Sequence, residues 1–125
     1  MARILIIDDD NQFRAMLRIM LENTGYKDIE EAENGYIGMK LIRKSSFDLV
    51  ITDIIMPDKE GIETIMELKK DFPAIKIIAI SGGGKIGPDG YLVMAGHLGA
   101  HRTMEKPFQQ SELLEAVREL LNESQ

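Results

Sequence analysis

The chain has 125 residues, a formal net charge of −6 and no cysteine. This length suits one domain that buries a core without disulfides. The acidic balance argues against binding to nucleic acid or anionic membranes, and the lack of cysteine excludes thiol catalysis and thiolate zinc sites. No apolar stretch reaches the length of a membrane span, so the composition predicts a soluble cytoplasmic protein.

Short strand-like segments alternate with segments of helical periodicity along the whole chain. We predict strands at 3–7, 28–32, 48–52, 75–80 and 100–105. We predict helices that start at a cap on Asp10 or Asn11, after the Asn34-Gly35 turn and ending near Lys44, at 60–70, at 91–97, and after a cap on Ser111. Five repeats of strand and helix are typical of an α/β protein with a parallel sheet.

The predicted fold is a doubly wound α/β sandwich of three layers. Right-handed crossovers place helices on both faces of a five-stranded parallel sheet. The strand order 2-1-3-4-5 is the common doubly wound order that suits five strands. We expect residues 1–125 to form one domain.

Polar residues follow four of these strands at the point where each strand ends. Asp8 and Asp9 follow the first strand, Asp53 follows the third, Ser81 the fourth and Lys106 the fifth. Ligands of open parallel sheets bind just beyond the carboxyl ends of the strands. The sequence therefore predicts that carboxylates, a hydroxyl and an ammonium converge on one edge of the sheet.

These residue types together suit phosphoryl transfer to an aspartate. Crowded carboxylates repel each other unless a cation bridges them, and oxygen ligands with room for water favour Mg²⁺. A carboxylate such as Asp53 can act as the nucleophile toward phosphorus. Lys106 supplies a compact positive charge and Ser81 a hydroxyl donor for phosphoryl oxygens. The candidate cofactor is therefore Mg²⁺.

The chain resembles a known family, the response-regulator receiver domains of two-component signalling. The resemblance covers essentially all 125 residues. It depends on motifs in a fixed order: Ile6-Ile7-Asp8-Asp9-Asp10, Asp53-Ile54-Ile55-Met56-Pro57, Gly61, Ser81 and Lys106-Pro107-Phe108. Each motif is weak by itself, but the set in these strand contexts is specific.

The resemblance implies a role for each acid. Asp53 would accept a phosphoryl group from a phosphohistidine, carried by a sensor histidine kinase or a phosphotransfer protein. Mg²⁺ would be held by Asp8, Asp9 and Asp53 together with the backbone carbonyl of Ile55.

The resemblance also implies how the signal leaves the site. Ser81 and Lys106 would bind phosphoryl oxygens, and the Lys106-Pro107 peptide bond would be cis. Phosphorylation would then change the face formed by helix four, strand five and helix five, to which a downstream protein binds. The implied assembly is a monomer or a weak dimer.

Two positions depart from the family pattern. Thr103 stands where an aromatic residue usually turns with the hydroxyl residue, so the aromatic half of the usual switch is in doubt. The spacing of 25 residues from Ser81 to Lys106 is longer than usual, with the excess in the glycine-rich segment 82–88. We expect this chain to signal through ordering of that segment more than through ring rotation.

Other functions remain open at the level of sequence. One is a Mg²⁺-dependent phosphohydrolase that works through an aspartyl phosphate, because Asp10 lies two residues after Asp8 as an acid-base pair would require. Another is a receiver that is never phosphorylated and serves as a binding scaffold. A flavin carrier of the same topology would need a phosphate loop after the first strand, which the sequence lacks. We predict no metal or catalytic role for His97 or His101.

Overall fold

The computed structural model describes residues 2–54, 61–82 and 95–121. The strands are β1 (Arg3–Ile7), β2 (Asp28–Ala32), β3 (Leu49–Asp53), β4 (Lys76–Ser81) and β5 (Arg102–Glu105). The helices are α1 (Asn11–Asn23), α2 (Gly35–Lys44), α3 (Gly61–Asp71), α4, described over 95–98, and α5 (Gln110–Leu120). Among the described residues, no helix combines the length and apolarity that crossing a membrane requires.

The five strands form one parallel sheet in the order β2-β1-β3-β4-β5. This order confirms the predicted topology. It makes β1 and β3 neighbours at the centre of the sheet, where Ile7 pairs with Thr52. The sheet then extends through β4 to β5, so the carboxyl ends of four strands lie in a row along one edge.

Each face of the sheet is covered by its own apolar core. On one face, strand residues such as Ile4, Ile51 and Ile78 pack in a cluster with buried residues of α1 and α5, namely Leu17, Leu21, Leu113, Leu114, Ala116 and Val117. On the other face, Leu5, Val50 and Ile77 belong to a cluster with residues of α2, α3 and α4, namely Met39, Ile42, Ile65, Leu68 and Ala95. Side chains alternate along each strand, which is why one strand feeds both cores. The three predicted layers are confirmed.

Several element boundaries differ from the sequence prediction by a residue or two. β3 and β4 each begin and end one residue later than predicted, so Asp53 and Ser81 belong to their strands. Asp53 pairs with Ile80, and Ser81 pairs with Glu105. Helix α1 is capped by Asp10, as predicted, through its side chain.

The start of β5 was predicted too early because of one side chain. The Nδ1 atom of His101 accepts a hydrogen bond from the backbone N–H of Ile77 at 3.1 Å. The backbone N–H of His101 in turn donates to the carbonyl of Ile77 at 2.8 Å. The imidazole thus accepts the hydrogen bond that the N–H of Ile77 would otherwise donate to a backbone carbonyl of the neighbouring strand. As a result, β5 begins at Arg102.

The cap of the last helix was also predicted wrongly. Helix α5 begins at Gln110 with Gln109 as its N-cap, two residues before the predicted cap at Ser111. The carboxylate of Glu112 accepts a hydrogen bond from the backbone N–H of Gln109 at 3.1 Å. This contact from the third helical position satisfies a donor that precedes the helix, which favours the earlier start.

Three predictions fall wholly or partly outside the described residues. They are the backbone carbonyl of Ile55 as a metal ligand, the glycine-rich segment after Gly82, and the beginning of the helix predicted at 91–97.

Candidate functional site

Three carboxylates meet at the carboxyl ends of β1 and β3. Asp8 follows β1 directly and is 1% exposed, while Asp53 ends β3 and is 7% exposed. Asp9 is exposed. One carboxylate oxygen from each of the three lies within 4.8 Å of the other two. The structure therefore brings together the three acids that the sequence singled out.

In the turn after β1, the carboxylates of Asp8 and Asp10 accept hydrogen bonds from different backbone groups. The Asp8 carboxylate accepts a hydrogen bond from the backbone N–H of Asp10 at 2.9 Å, which fixes it toward the interior. The Asp10 carboxylate accepts from the N–H groups of Gln12 and Phe13 at 3.0 and 3.1 Å. Asp10 thus caps α1 and satisfies two of its unpaired N–H groups.

Gly61 lets helix α3 approach the backbone of Asp53 closely. A β-carbon at position 61 would lie 2.0 Å from the carbonyl oxygen of Asp53 and 2.6 Å from Cα of Ile54. The N–H of Gly61 donates to the carbonyl of Ile54 at 2.8 Å. Only glycine fits between these backbone atoms, so this residue type sets the position of α3 against the end of β3.

Lys106 directly follows β5 and contacts the two buried acids, Asp8 and Asp53, at the ends of β1 and β3. Its Nζ atom lies 3.2 Å from Oδ2 of Asp8 and 3.3 Å from Oδ2 of Asp53. The backbone N–H of Lys106 donates to the carbonyl of Ser81 at 2.8 Å, which extends the strand pairing by one residue. The Lys106-Pro107 peptide bond is cis, as the resemblance implied.

Burial and charge act in opposite directions on these groups. Burial raises the pKa of the Asp8 carboxyl to about 6, although the N–H of Asp10 and the ammonium of Lys106 favour its charged form. The neighbouring charge of Asp53 raises this pKa further. Burial disfavours the charged form of Lys106, but the negative charges of Asp53 and Asp8 outweigh it and raise the pKa of Lys106 above its ordinary value. The acids therefore lie in a site that favours added positive charge.

The hydroxyl of Ser81 is buried at the end of β4. Ser81 is fully buried, and its Oγ atom has no hydrogen-bond partner among the described residues. A buried hydroxyl without a partner costs free energy, so such a group points to a ligand that completes it. In the sheet, Ser81 pairs with Glu105 of β5, and its backbone carbonyl accepts a hydrogen bond from the N–H of Lys106.

Thr103 lies within β5, before the end of that strand. It is exposed and pairs with Ala79, two residues before the pair of Ser81 and Glu105. Residues two apart on a strand share a face, so Thr103 and Ser81 are diagonal neighbours on the same side of the sheet. The effect of Thr103 on switching remains a prediction.

Sequence reasoning missed two residues of α1 that border the site. The ammonium of Lys106 lies 3.8 Å from the ring centroid of Phe13. Arg14 donates through Nη1 to the backbone carbonyl of Asp8 at 2.5 Å, and its Nε donates to Glu31 at 3.1 Å. In the sequence, Phe13 recurs at helical spacing with Met16, Leu17, Met20 and Leu21, which predicts only a place on the apolar face of α1. Its distance of three residues from the capping Asp10 is the signal that could have placed it beside the site.

The donor set fits a hard divalent cation and a phosphoryl group. Three carboxylates that contribute one oxygen each leave coordination positions for water and for a phosphoryl oxygen, which is the pattern that Mg²⁺ prefers. A single ammonium and a buried hydroxyl beside them suit the remaining phosphoryl oxygens.

The comparison with known families decides the assignment. The family model for the response regulator receiver domain matches residues 4–118. The chain belongs to this receiver family. Receiver domains are signalling domains of two-component systems, and this receiver domain has the strand order and the acidic edge expected of one.

Relatives of the receiver domain include both short and long proteins. It is 36% identical over 120 residues to the chemotaxis protein CheY of Bacillus subtilis, which covers 96% of this chain and 98% of that protein. It is 32% identical to a transcriptional regulatory protein CpxR homolog of Haemophilus influenzae over 99% of this chain and 52% of that protein. Similarity thus extends to whole single-domain proteins and to one part of a larger regulator.

Solved structures show the same likeness in three dimensions. A CheY-like receiver domain protein from Methanospirillum hungatei superimposes with a TM-score of 0.88, at 32% identity over 98% of this chain and 95% of that chain. The beryllofluoride-activated NtrC4 receiver domain dimer superimposes with a TM-score of 0.87, at 29% identity over 98% of both chains.

Proposed function

We propose that this receiver domain is a phosphorylation-controlled module that accepts a phosphoryl group on Asp53. The donor is the phosphohistidine of a sensor histidine kinase or of a phosphotransfer protein. The observation that carries the proposal is the juxtaposition of three carboxylates within 4.8 Å of one another with the ammonium of Lys106. Family membership supports the same role.

Asp8, Asp9 and Asp53 would hold Mg²⁺, with the expected carbonyl ligand of Ile55 lying outside the described residues. When bound, the ion neutralises oxygens of the carboxylates and of the phosphoryl group, which otherwise repel each other. The buried Asp8 would contribute most to holding the ion in place, because its carboxylate is already oriented by the N–H of Asp10.

The transfer step places a new bond on an Asp53 oxygen. That oxygen attacks phosphorus while the phosphorus–nitrogen bond of the phosphohistidine breaks, and the electron pair leaves on the imidazole nitrogen. Lys106 is already 3.3 Å from Asp53 and would move its ammonium to a phosphoryl oxygen. The hydroxyl of Ser81 would donate to another phosphoryl oxygen and gain the partner that it lacks among the described residues.

The output would follow from the strands that carry the two phosphoryl ligands. Ser81 ends β4 and Lys106 follows β5, and a backbone hydrogen bond joins them. A shift of either residue toward the phosphoryl group would move these strand ends together with the face of α4, β5 and α5. We propose that a downstream protein binds this face, and that the receiver works in the cytoplasm as a monomer or a weak dimer.

The test is direct modification with a small phosphodonor. The wild-type protein, incubated with acetyl phosphate and Mg²⁺, is expected to gain the mass of one phosphoryl group, located on Asp53 by peptide mass spectrometry. The bond from phosphorus to the acetyl oxygen breaks in this reaction, and acetate leaves. Beryllofluoride with Mg²⁺ is expected to shift the NMR signals of residues around Ser81 and Lys106.

Two variants make this experiment decisive. Asp53→Asn is expected to lose the modification, while Asp48→Asn, an exposed acid at the opposite end of β3, is expected to keep it. Continuous release of product from small phosphoesters by the wild type would favour the phosphohydrolase. A failure of acetyl phosphate and of beryllofluoride to act on a folded protein would favour the unphosphorylated scaffold.

A further inference from the structure

Lys106 has a third partner besides the two acids, and it is an aromatic ring. The Nζ atom lies 3.8 Å from the ring centroid of Phe13, well within the distance at which an ammonium is attracted to an aromatic face. The same Nζ atom lies 3.2 and 3.3 Å from carboxylate oxygens of Asp8 and Asp53. The ring therefore occupies a side of the ammonium that the carboxylates do not occupy.

The Phe13 ring is held in place from two directions. Its backbone N–H donates to the capping carboxylate of Asp10, so the turn that orients Asp8 also fixes the start of the Phe13 side chain. The ring of Phe108 packs edge-on against it, with centroids 5.9 Å apart and planes at 86°. Both rings pack against the core between α1 and α5. Phe13 is therefore a rigid wall rather than a loose surface residue.

The rest of the Lys106 side chain is confined as well. A β-carbon built at Gly82 would lie 3.2 Å from Cδ of Lys106, so the backbone after β4 lies alongside the methylene stem. The Lys106 side chain is 20% exposed. A lysine carries about 2 kcal/mol of rotamer entropy when free, so confining walls matter for a group that must meet one phosphoryl oxygen.

We infer that Phe13 is a positioning residue for Lys106, holding its ammonium over the acids so that it is in place when the phosphoryl group arrives. This inference depends on the proposed function and adds a residue of α1 to it. Attraction between cation and ring persists while the ammonium exchanges a carboxylate partner for a phosphoryl oxygen. The ring thus lowers the cost of that exchange without forming a hydrogen bond that must break.

The test compares substitutions that keep or remove the aromatic face. Phe13→Leu retains an apolar side chain of similar size and is expected to slow phosphorylation of Asp53 at saturating acetyl phosphate and Mg²⁺ by about 3- to 30-fold, the range that a partly desolvated cation–π contact implies. Phe13→Tyr keeps the ring face and is expected to retain the wild-type rate. The affinity for Mg²⁺ alone is expected to be unchanged in both, because the Phe13 ring contacts the ammonium and its backbone N–H binds Asp10, which is not a proposed metal ligand.

A matched control makes the same chemical change elsewhere. The guanidinium of Arg3 lies 4.9 Å from the ring centroid of Phe47, a cation–π pair at the opposite end of the sheet. Phe47→Leu is expected to lower stability without changing the phosphorylation rate constant. A wild-type rate in Phe13→Leu, or an equal loss in Phe13→Tyr, would overturn the inference. If Phe13→Leu does not fold, Phe13→Met serves in its place.

A second measurement separates this inference from the proposed function. The ring of Phe13 is expected to shift the NMR signals of the Lys106 ε-methylene upfield, with assignment by their disappearance in Lys106→Arg. This shift is expected to vanish in Phe13→Leu and to persist in Phe13→Tyr. If the wild type shows no modification at Asp53, the proposed function fails, and the ε-methylene signals still decide the positioning contact: an unshifted wild-type signal would contradict it.

Discussion

The two ends of the sheet carry similar charged groups in opposite circumstances. At the amino end, Arg3 pairs with Asp28 and Glu30 at 3.1 and 3.7 Å, and its backbone N–H donates to Asp48 at 2.8 Å. The side chains of the Arg3 pairs are 31 to 45% exposed. At the carboxyl end, Asp8 and Asp53 have side chains that are 2 and 9% exposed and share one ammonium.

The exposed ion pairs at the amino end and the buried acids at the carboxyl end therefore differ in their effect on stability. Exposed pairs at the amino end contribute little because water screens them. At the carboxyl end, burial raises the pKa of Asp8, although the ammonium of Lys106 favours its charged form. The charge of Asp8 at the candidate site therefore costs stability, unlike the exposed charges at the amino end.

The largest effect is expected from closing the space between α3 and β3. Gly61→Ala would place a β-carbon 2.0 Å from the Asp53 carbonyl oxygen, a clash with backbone that no side-chain rotation relieves. We expect a loss of about 3 kcal/mol in the free energy of unfolding, measured in urea. Gly25 lies in the turn leading to β2, with a φ of 104° and nothing within 4 Å of an added β-carbon. Gly25→Ala is expected to cost only about 1 to 2 kcal/mol, and equal losses would contradict this account.

Neutralising one acid at each end of the sheet is expected to change stability in opposite directions. Above pH 6, the ionised Asp8 destabilises the folded state, because its raised pKa means that the folded protein binds this proton more tightly than the unfolded chain. Asp8→Asn is therefore expected to raise the free energy of unfolding at pH 7 by about 2 kcal/mol, and to abolish the stabilisation by Mg²⁺. The gain is expected to shrink as the pH falls through 6 and to vanish near the ordinary value of 3.8.

The matching substitution at the amino end should act the other way. Asp48→Asn weakens the hydrogen bond from the Arg3 backbone and is expected to lower stability by about 0.5 kcal/mol. Thermal unfolding of both variants with and without Mg²⁺ checks the pair. A loss of stability in Asp8→Asn at pH 7 would show that the burial of Asp8 costs less than its contacts with Lys106 and Asp10 contribute.

The smallest effect is expected at His101, beside the amino end of β4. Its Nδ1 accepts a hydrogen bond from Ile77 and must be unprotonated to do so. Burial and the nearby charges of Lys69 and Lys76 lower the pKa of His101. A lowered histidine pKa means that stability is fully present above the ordinary value of 6.5 and is lost as the pH falls below it.

The non-titrating variant His101→Gln isolates this contribution. Urea unfolding of both proteins between pH 5 and pH 8 is expected to show the wild type losing its advantage over the variant as the solution is acidified. A difference that stays constant over this range would mean that His101 titrates alike in folded and unfolded chains.

The sequence predicted the parts of the molecule that depend on pattern. Apolar runs and helical spacings predicted the elements, the common order of five-stranded doubly wound sheets predicted the topology, and the acids at strand ends led to the cluster of Asp8, Asp9 and Asp53. The prediction of element boundaries failed where a side chain makes a hydrogen bond that a backbone group was expected to make. The imidazole of His101 takes the hydrogen bond that would have begun β5 earlier, and Glu112 moves the start of α5 to Gln110. The His101 exchange joins residues 24 positions apart, which periodicity does not contain, whereas the contact of Glu112 with Gln109 is a local capping pattern that the choice of Ser111 overlooked.

The contacts around Lys106 show the same limit within the site. Its charge and strand context predicted that it binds a phosphoryl group, but the spacing of Phe13 fits an apolar helix face and predicted only a place in the core. Both descriptions are correct, since the ring packs against the core and also contacts the ammonium. A helical pattern states which face a residue is on, and the first turn of α1 is where that face meets the site.

The outer strand β2 has a consequence for how this protein behaves at high concentration. Three of its five residues are acidic, Asp28, Glu30 and Glu31, and they are held by arginines from β1 and α1. Another chain that added a strand here would have to strip water from this row of charges, which opposes edge-to-edge aggregation. The β2 edge is therefore a poor template on which strands of other copies could assemble into fibres.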